Sequence, residues 1–221
     1  MRLYHFLSAK YGLDDLEHSR LKIAQFRDLN DPFELAAADI SDPLNRQILR
    51  GWKNDMQAKW GVMCFSRSWR NPVLWSHYAD KHRGLCLGFD VADQFLLPIK
   101  YSKNRIKIDF VQLQKSGALN QKVMLRLMGT KFDDWKYERE VRLSSELKEQ
   151  DLKTGLFYCE FSDDLRLVEV IAGPLCELTE KEIRDTRSAC SHSVKIIKSR
   201  LAFQKFNIVE NKQGFKSLNA A

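Results

Sequence analysis

The stretch WSHYADKHRGLCLGFD, from Trp75 to Asp90, carries an unusual density of groups able to do chemistry. His77 and His82 supply imidazoles for proton transfer, and Trp75 and Tyr78 supply flat rings for stacking. Pro72 is suited to the first turn of a helix, which starts one there. On that helix Trp75, Tyr78 and Ala79 share a face, Ser76 lies beside it, and His77 points elsewhere. His82 lies four residues beyond Tyr78, so the two rings can meet. The plainer alternative places Trp75 and Tyr78 in the core and both histidines on the surface.

Three further clusters stand beside this stretch. His5 belongs to the first strand. NDPFE, Asn30 to Glu34, is a turn, because Pro32 pushes Asp31 out of the helical region. WKYEREVRL, Trp135 to Leu143, passes from a helix end into a strand. There Val141 and Leu143 alternate with Glu140 and Arg142. With the apolar pair in the core, the charged pair faces water or a cleft. A strand carboxylate in a cleft can orient a sugar hydroxyl or stabilise positive charge.

Several chemistries lack their signatures. His5, His18, His77, His82 and His192 are scattered without zinc-helix spacing, so no metal is expected. GxGxxG, GxxxxGK and GxSxG are absent. Cys64, Cys86, Cys159, Cys176 and Cys190 form no CxxC pair. Cys64, in MCFS, reads as inert core rather than as a nucleophile.

The composition of the 221 residues is that of a soluble globular protein, 44% hydrophobic and 29% charged. No apolar run reaches the ~20 residues that span a bilayer. Lys10 arrives before a signal-length apolar core can form, so a cytoplasmic protein is expected. The formal charge is +7. Much of it lies in KYSKNRIK, Lys100 to Lys107, and in KIIKSRLAFQK, Lys195 to Lys205. Such strips favour nucleic acid or another polyanion. They are equally the mark of a solvated basic face.

These groups need elements to hold them. Strands are expected at residues 2–7, RLKIAQF, GVMCFS, LCLGFDV, IKYS with IKIDF, GLFYCEF, LVEVIAGP, VKIIKSRL and FNIVE. Helices are expected at AKYGLDDLEHS, residues 43–59, the turn after Pro72, Val111 to Phe132, and TEKEIRDTRSAC. Thr179 and Glu182 form a capping box for the last. Short strands interspersed with a few helices predict an α+β fold. The expected form is a single domain over residues 1–210, with two small, mainly antiparallel sheets forming a cleft, helices outside, and a frayed tail at 211–221.

The order LYHFLS, FRDLNDPFE, GVMCFS, LWSHYADKHRGLCLGFD, WKYEREVRL and IAGP resembles the bacterial family catalogued as domain of unknown function 2971, from Leu3 to about Phe206. The middle motif, with Trp75, His77, Tyr78, Gly84 and Phe89 in register, carries most of the likeness. The family name implies no activity. More distantly, the order of motifs is similar to ADP-ribosyltransferase-like folds, including DarT-type toxins that modify nucleic acid.

That second resemblance implies an NAD-consuming enzyme with a nucleic-acid or protein acceptor, in a defence or toxin role. His5, Tyr78 and Glu140 would be catalytic: His5 on the ribose hydroxyls, Tyr78 or Trp75 on the nicotinamide, Glu140 on the developing oxocarbenium. Ser8, Asn30, Asp31, Arg67, Arg70, Trp75, His77 and Arg142 would bind the cofactor, with the arginines on its pyrophosphate. Two other readings stand beside it. One is a non-enzymatic nucleic-acid-binding or regulatory module. The other is a phosphodiesterase using His5, His77 or His82 as acid and base.

Overall fold

A computed structural model describes residues 1–110, 113, 121–186 and 193–215. Cys190, His192 and most of the expected helix before Gln121 lie outside the described residues. The fold is α+β. The chain gathers into two compact units: unit 1 is Met1–Lys22, Phe65–Gln94 and Cys159–Ala221, and unit 2 is Ile23–Cys64 and Phe95–Tyr158. Each is assembled from separate stretches of chain, so no linker in the sequence marks either one.

In unit 1 the strands β1 (Arg2–Leu7), β4 (Leu85–Val91), β10 (Leu165–Ala172), β11 (Lys195–Leu201) and β12 (Ile208–Glu210) are hydrogen-bonded in the order β12-β11-β10-β4-β1. All neighbours are antiparallel except β10 and β11. That parallel pair needs a crossover, and α5 (Glu180–Thr186) lies within it. The capping box forms as expected: the Glu182 carboxylate accepts from the Thr179 amide at 2.7 Å, and the Thr179 hydroxyl accepts from the Glu182 amide at 3.2 Å.

The core of unit 1 gathers Trp69, Trp75, Ala79, Cys86, Ile171, Ile197 and Ile208, with Tyr4 and Phe6 packed against it. Helix α1 (Ala9–Glu17) buries Gly12, Asp15 and Leu16. Helix α3 (Pro72–Tyr78) starts where Pro72 predicts, and the Asn71 side chain caps it by accepting from the Val73 amide at 2.9 Å. Three residues in the left-handed region follow, Asp80, Lys81 and His82, at φ of 44°, 50° and 74°. None is glycine, so this turn is strained. Tertiary hydrogen bonds hold it: the Gly84 amide donates to Ala79 O at 2.8 Å, and His82 O accepts from the Leu175 amide at 3.1 Å. Gly84 cannot carry a side chain, because a Cβ there would sit 2.1 Å from the Leu7 carbonyl oxygen.

Unit 2 holds α2 (Pro43–Lys59), α4 (Gln121–Met128), the strand pair β5 (Leu96–Pro98) and β8 (Glu140–Glu146), and the parallel ribbon β6 (Lys100–Ser102) with β7 (Thr130–Phe132). Strands β2 (Arg20–Gln25) and β3 (Trp60–Ser66) pair there through Ala24 with Val62 and Gln25 with Gly61. The remaining strand, β9, is Phe157–Glu160. Helix α2 turns Leu49 and Met56 inward, whereas Leu44, expected on the same face, is exposed. IKIDF forms no strand. Ile106 makes a single parallel bridge to Ala38, and the partner of β6 is β7.

Two apolar clusters fill unit 2. One joins Phe26, Leu35, Met56, Val62 and Met128, and the other joins Ala38, Leu49, Phe110, Val123 and Leu127. Among the described residues no helix is long and apolar enough to cross a membrane.

Candidate functional site

Strand β8 departs from the alternation its sequence suggests. Val141 is in the core, yet Glu140 and Arg142 are buried too. The reason is a set of partners distant in sequence. Arg142 Nε donates to Glu140 Oε1 at 2.6 Å, and Nη2 reaches Glu140 Oε2 at 3.2 Å. Nη1 and Nη2 donate to Glu34 Oε2 and Oε1 at 2.8 and 2.6 Å. Nη1 also donates to the Met128 carbonyl at 3.1 Å. All five guanidinium N–H groups are thereby used.

Lys131, at the centre of β7, is the second cation. Its Nζ donates to Glu138 Oε2 at 2.6 Å and Glu140 Oε2 at 3.3 Å, and lies 4.0 Å from Glu34 Oε1. The Trp135 ring lies 4.6 Å from the same nitrogen. Arg139 sits in the left-handed region at φ 50°, ending the 3-10 helix Asp133–Glu138, and the residues on both sides of it turn their carboxylates to Lys131.

Burial alone would neutralise these groups. It opposes charge on Glu140, but Arg142 and then Lys131 outweigh it and hold the carboxyl below its ordinary range. Burial likewise opposes the ammonium of Lys131, and Glu140 and Glu138 reverse the effect, holding its pKa above the ordinary value. Tyr101, whose hydroxyl accepts from the Glu140 amide at 2.7 Å, is pushed up to about 12 by burial and the nearby carboxylates. Burial also pushes the Cys64 thiol well up, with Glu140 adding to it, which fits inert core rather than a nucleophile.

Above this network lies a cavity of about 290 Å³ lined by Phe33, Ala36, Ala37, Ser102–Arg105 and Thr130–Phe132. Three sequence features build it. NDPFE supplies one wall: the Asp31 carboxylate accepts from the Phe33 amide at 2.9 Å, a local turn that fixes Phe33 and Glu34. The basic strip supplies another, held where Ile106 N donates to Ala37 O and Asp39 N to Ile106 O, both at 2.8 Å. The β6–β7 ribbon adds Ser102, Thr130, Lys131 and Phe132. Phe33 and Phe132 remain 51% and 44% exposed, and the Arg105 guanidinium lies 5.1 Å from the Phe33 ring centroid. The cavity therefore offers aromatic faces beside Lys103 and Arg105, while the ammonium of Lys131 in its lining is engaged by carboxylates. Sequence reasoning missed Phe33, Phe132 and Lys131 as functional candidates. The signal available was an aromatic residue next to each polar motif.

The residues singled out from sequence are distributed as follows. His5, Ser8, Arg67, Arg70, Trp75, His77 and Tyr78 belong to unit 1, and Asn30, Asp31, Glu140 and Arg142 to unit 2. Glu140 and Arg142 are brought into contact, but as mutual ion partners; neither lines the cavity. The cleft position expected for Glu140 is thus corrected, because both its oxygens are taken by buried cations.

Trp75 is also corrected. It is fully buried, its indole N–H donates to the Trp69 carbonyl at 2.5 Å, and Phe6 meets it edge to face at 5.2 Å. No face is left for stacking on a ligand. Ser8 caps α1, its hydroxyl accepting from the Tyr11 amide at 3.4 Å. Asp31 shapes its turn and is buried, while Asn30 is exposed. Arg70 lies over the Trp69 ring at 4.7 Å, and Arg67 is exposed. His5 is half-buried against Phe65, and His77 packs near Tyr78 at 6.0 Å between ring centroids. Among the described residues no group of three or more histidine, cysteine or acidic side chains is disposed to hold a metal.

No curated protein matches the chain, and no solved structure matches it. A family model described as "Protein of unknown function (DUF2971)" matches residues 74–143, which run from α3 to the Arg142 guanidinium. LYHFLS, FRDLNDPFE, GVMCFS and IAGP lie outside that match. Residues 74–143, the segment that holds the left-handed turn together with Lys131 and Arg142, are thus similar to the DUF2971 family.

Proposed function

We propose that the protein binds nucleic acid, and that the unit 2 cavity receives a single nucleotide of it. The observation that carries this reading is the pairing of Phe33 and Phe132 with Lys103 and Arg105 around one cavity. A base stacks on an aromatic face whatever its sequence, at about 1–3 kcal/mol per base. Lysine and arginine at the rim neutralise phosphate, which makes binding salt-dependent. The excess of positive charge over the chain acts in the same direction.

The NAD-consuming reading fares less well. Its carboxylate, Glu140, would have to leave both Arg142 and Lys131 before meeting a ribose. A charge-stabilising carboxylate acts when it is aimed at the reacting centre. Glu140 is aimed at its counterions.

The test is fluorescence titration of the full chain with adenosine 5′-monophosphate and with a labelled single-stranded 20-mer, at low and moderate salt. Wild type should bind both, the 20-mer more weakly as salt rises. Phe33→Ala and Arg105→Ala should each weaken the mononucleotide roughly tenfold, as the loss of one stacked ring or one phosphate contact would. Affinity indifferent to both substitutions, or no binding, would remove the reading. Nicotinamide release from NAD by the same protein would restore the enzymatic one.

A further inference from the structure

The connection between β11 and β12 exposes an apolar surface that neither the core nor the unit 2 cavity explains. Phe203 is 88% exposed and Phe206 fully so, and Leu201 beside them is exposed as well. With Pro72, Ala202 and Ile208 they frame a hollow of about 350 Å³. This is not a loose loop. Ala202 N donates to Asn207 O at 2.9 Å, Asn207 N to Lys205 O at 2.8 Å, and Ile208 N to the Arg70 carbonyl at 2.8 Å. The rings are thus held out in water by a tied backbone.

The charge around them has one sign. The lining includes Lys205 and no acidic residue. The Arg200 guanidinium lies 4.2 Å from the Phe203 ring centroid. Glu210, the nearby acid on β12, is engaged by Lys195 at 3.1 Å. Aromatic faces among unopposed cations complement a partner that is anionic and itself carries flat rings.

We infer that the β11–β12 hairpin is a second contact for single-stranded nucleic acid, with Phe206 and Phe203 stacking on bases while Lys205 and Arg200 meet the adjacent phosphates. The order of residues at the tip favours this occupant over a lipid surface. Gln204 and Lys205 lie between the two phenylalanines, so driving both rings into a bilayer would drag an amide and an ammonium in with them. A strand of bases lets the rings stack and leaves Lys205 at the phosphate. The inference rests on the proposed nucleic-acid reading for the identity of its polyanion, but on different residues in the other unit.

The experiment uses the full chain with the labelled single-stranded 20-mer, adenosine 5′-monophosphate, and vesicles of phosphatidylserine with phosphatidylcholine. The double substitution Phe203→Ala with Phe206→Ala should weaken the 20-mer at least tenfold and leave the mononucleotide unchanged. Phe206→Tyr, which keeps a ring, should bind the 20-mer like wild type. Loss of the 20-mer without any mononucleotide binding by wild type would support the hairpin while removing the cavity reading. A double variant that binds the 20-mer like wild type overturns the hairpin contact, whatever becomes of the cavity. So does a Phe206→Tyr variant as weak as the alanine variant, and so does ring-dependent capture by vesicles in place of the 20-mer.

Discussion

Replacing Arg142 with methionine keeps an unbranched apolar stem and removes the charged guanidinium. Two buried carboxylates, Glu34 and Glu140, then lose the guanidinium that bonds both of them. Adding the five lost hydrogen bonds at about 1.5–3 kcal/mol each would overstate the cost, because the carboxyls can protonate instead. Neutralising one glutamate at pH 7 from an ordinary pKa costs about 4 kcal/mol. Lys131 stays beside Glu140 at 3.3 Å and holds that charge, so one neutralised carboxyl, Glu34, sets the scale. The expected loss at pH 7 is therefore about 4 kcal/mol, within the range for breaking a buried ion pair.

The pH dependence distinguishes this account from simple loss of packing. In the wild type Glu140 is held below its ordinary pKa. Its contribution is present above the unfolded carboxyl pKa and is lost as pH falls through the folded one. In Arg142→Met the stranded carboxyl has a raised pKa, so stability is recovered on acidification, by roughly 1.4 kcal/mol per pH unit. Urea denaturation at pH 7, 6 and 5, read by tryptophan fluorescence, measures this. If the variant is too unstable at pH 7, Glu34→Gln offers a milder cut, costing less than Glu140→Gln because Glu140 hydrogen-bonds both cations, whereas Glu34 reaches Lys131 only at 4.0 Å. A loss under about 1 kcal/mol at pH 7, or a deficit that stays constant on acidification, would refute the reasoning.

Two further outcomes follow from unit 1. Asp15 is pushed up to about 8 by burial, with Asp14 adding and Arg20 opposing. Its raised pKa makes stability fall between about pH 4 and pH 8, so thermal melts should show Asp15→Asn gaining on wild type as pH rises and matching it near pH 4. Gly84→Ala should cost about 3 kcal/mol in denaturant midpoint, because its methyl meets the Leu7 carbonyl and the Ala79 backbone; a neutral effect would show that the turn can shift.

What the sequence made legible was local. Asn71 and Pro72 mark the start of α3, Thr179 and Glu182 cap α5, and the apolar runs of β3 and β4 stand out, because each signal lies within a few residues of its effect. Glu140 and Arg142 were misjudged because alternation assigns polar side chains to the outside, and the partner that permits their burial, Glu34, lies 108 residues away. Trp75 was misjudged for a related reason: only the fold shows that the Trp69 carbonyl meets its indole N–H. NDPFE and the strip at Lys100–Lys107 were each legible as motifs, but nothing local reveals that they wall the same cavity. The three-residue β7 is too short for periodicity to detect, and it places Lys131 there.

The wide separation of the ion partners constrains how this chain is made. Glu34 leaves the ribosome long before Lys131 and Arg142, and until they emerge it has no counterion with which to enter a core. Unit 2 therefore closes late, with its acidic wall waiting in water, and unit 1 later still, since β10 to β12 are translated last. A nascent chain stopped before Arg142 should remain open to chaperones and proteases along nearly its whole length.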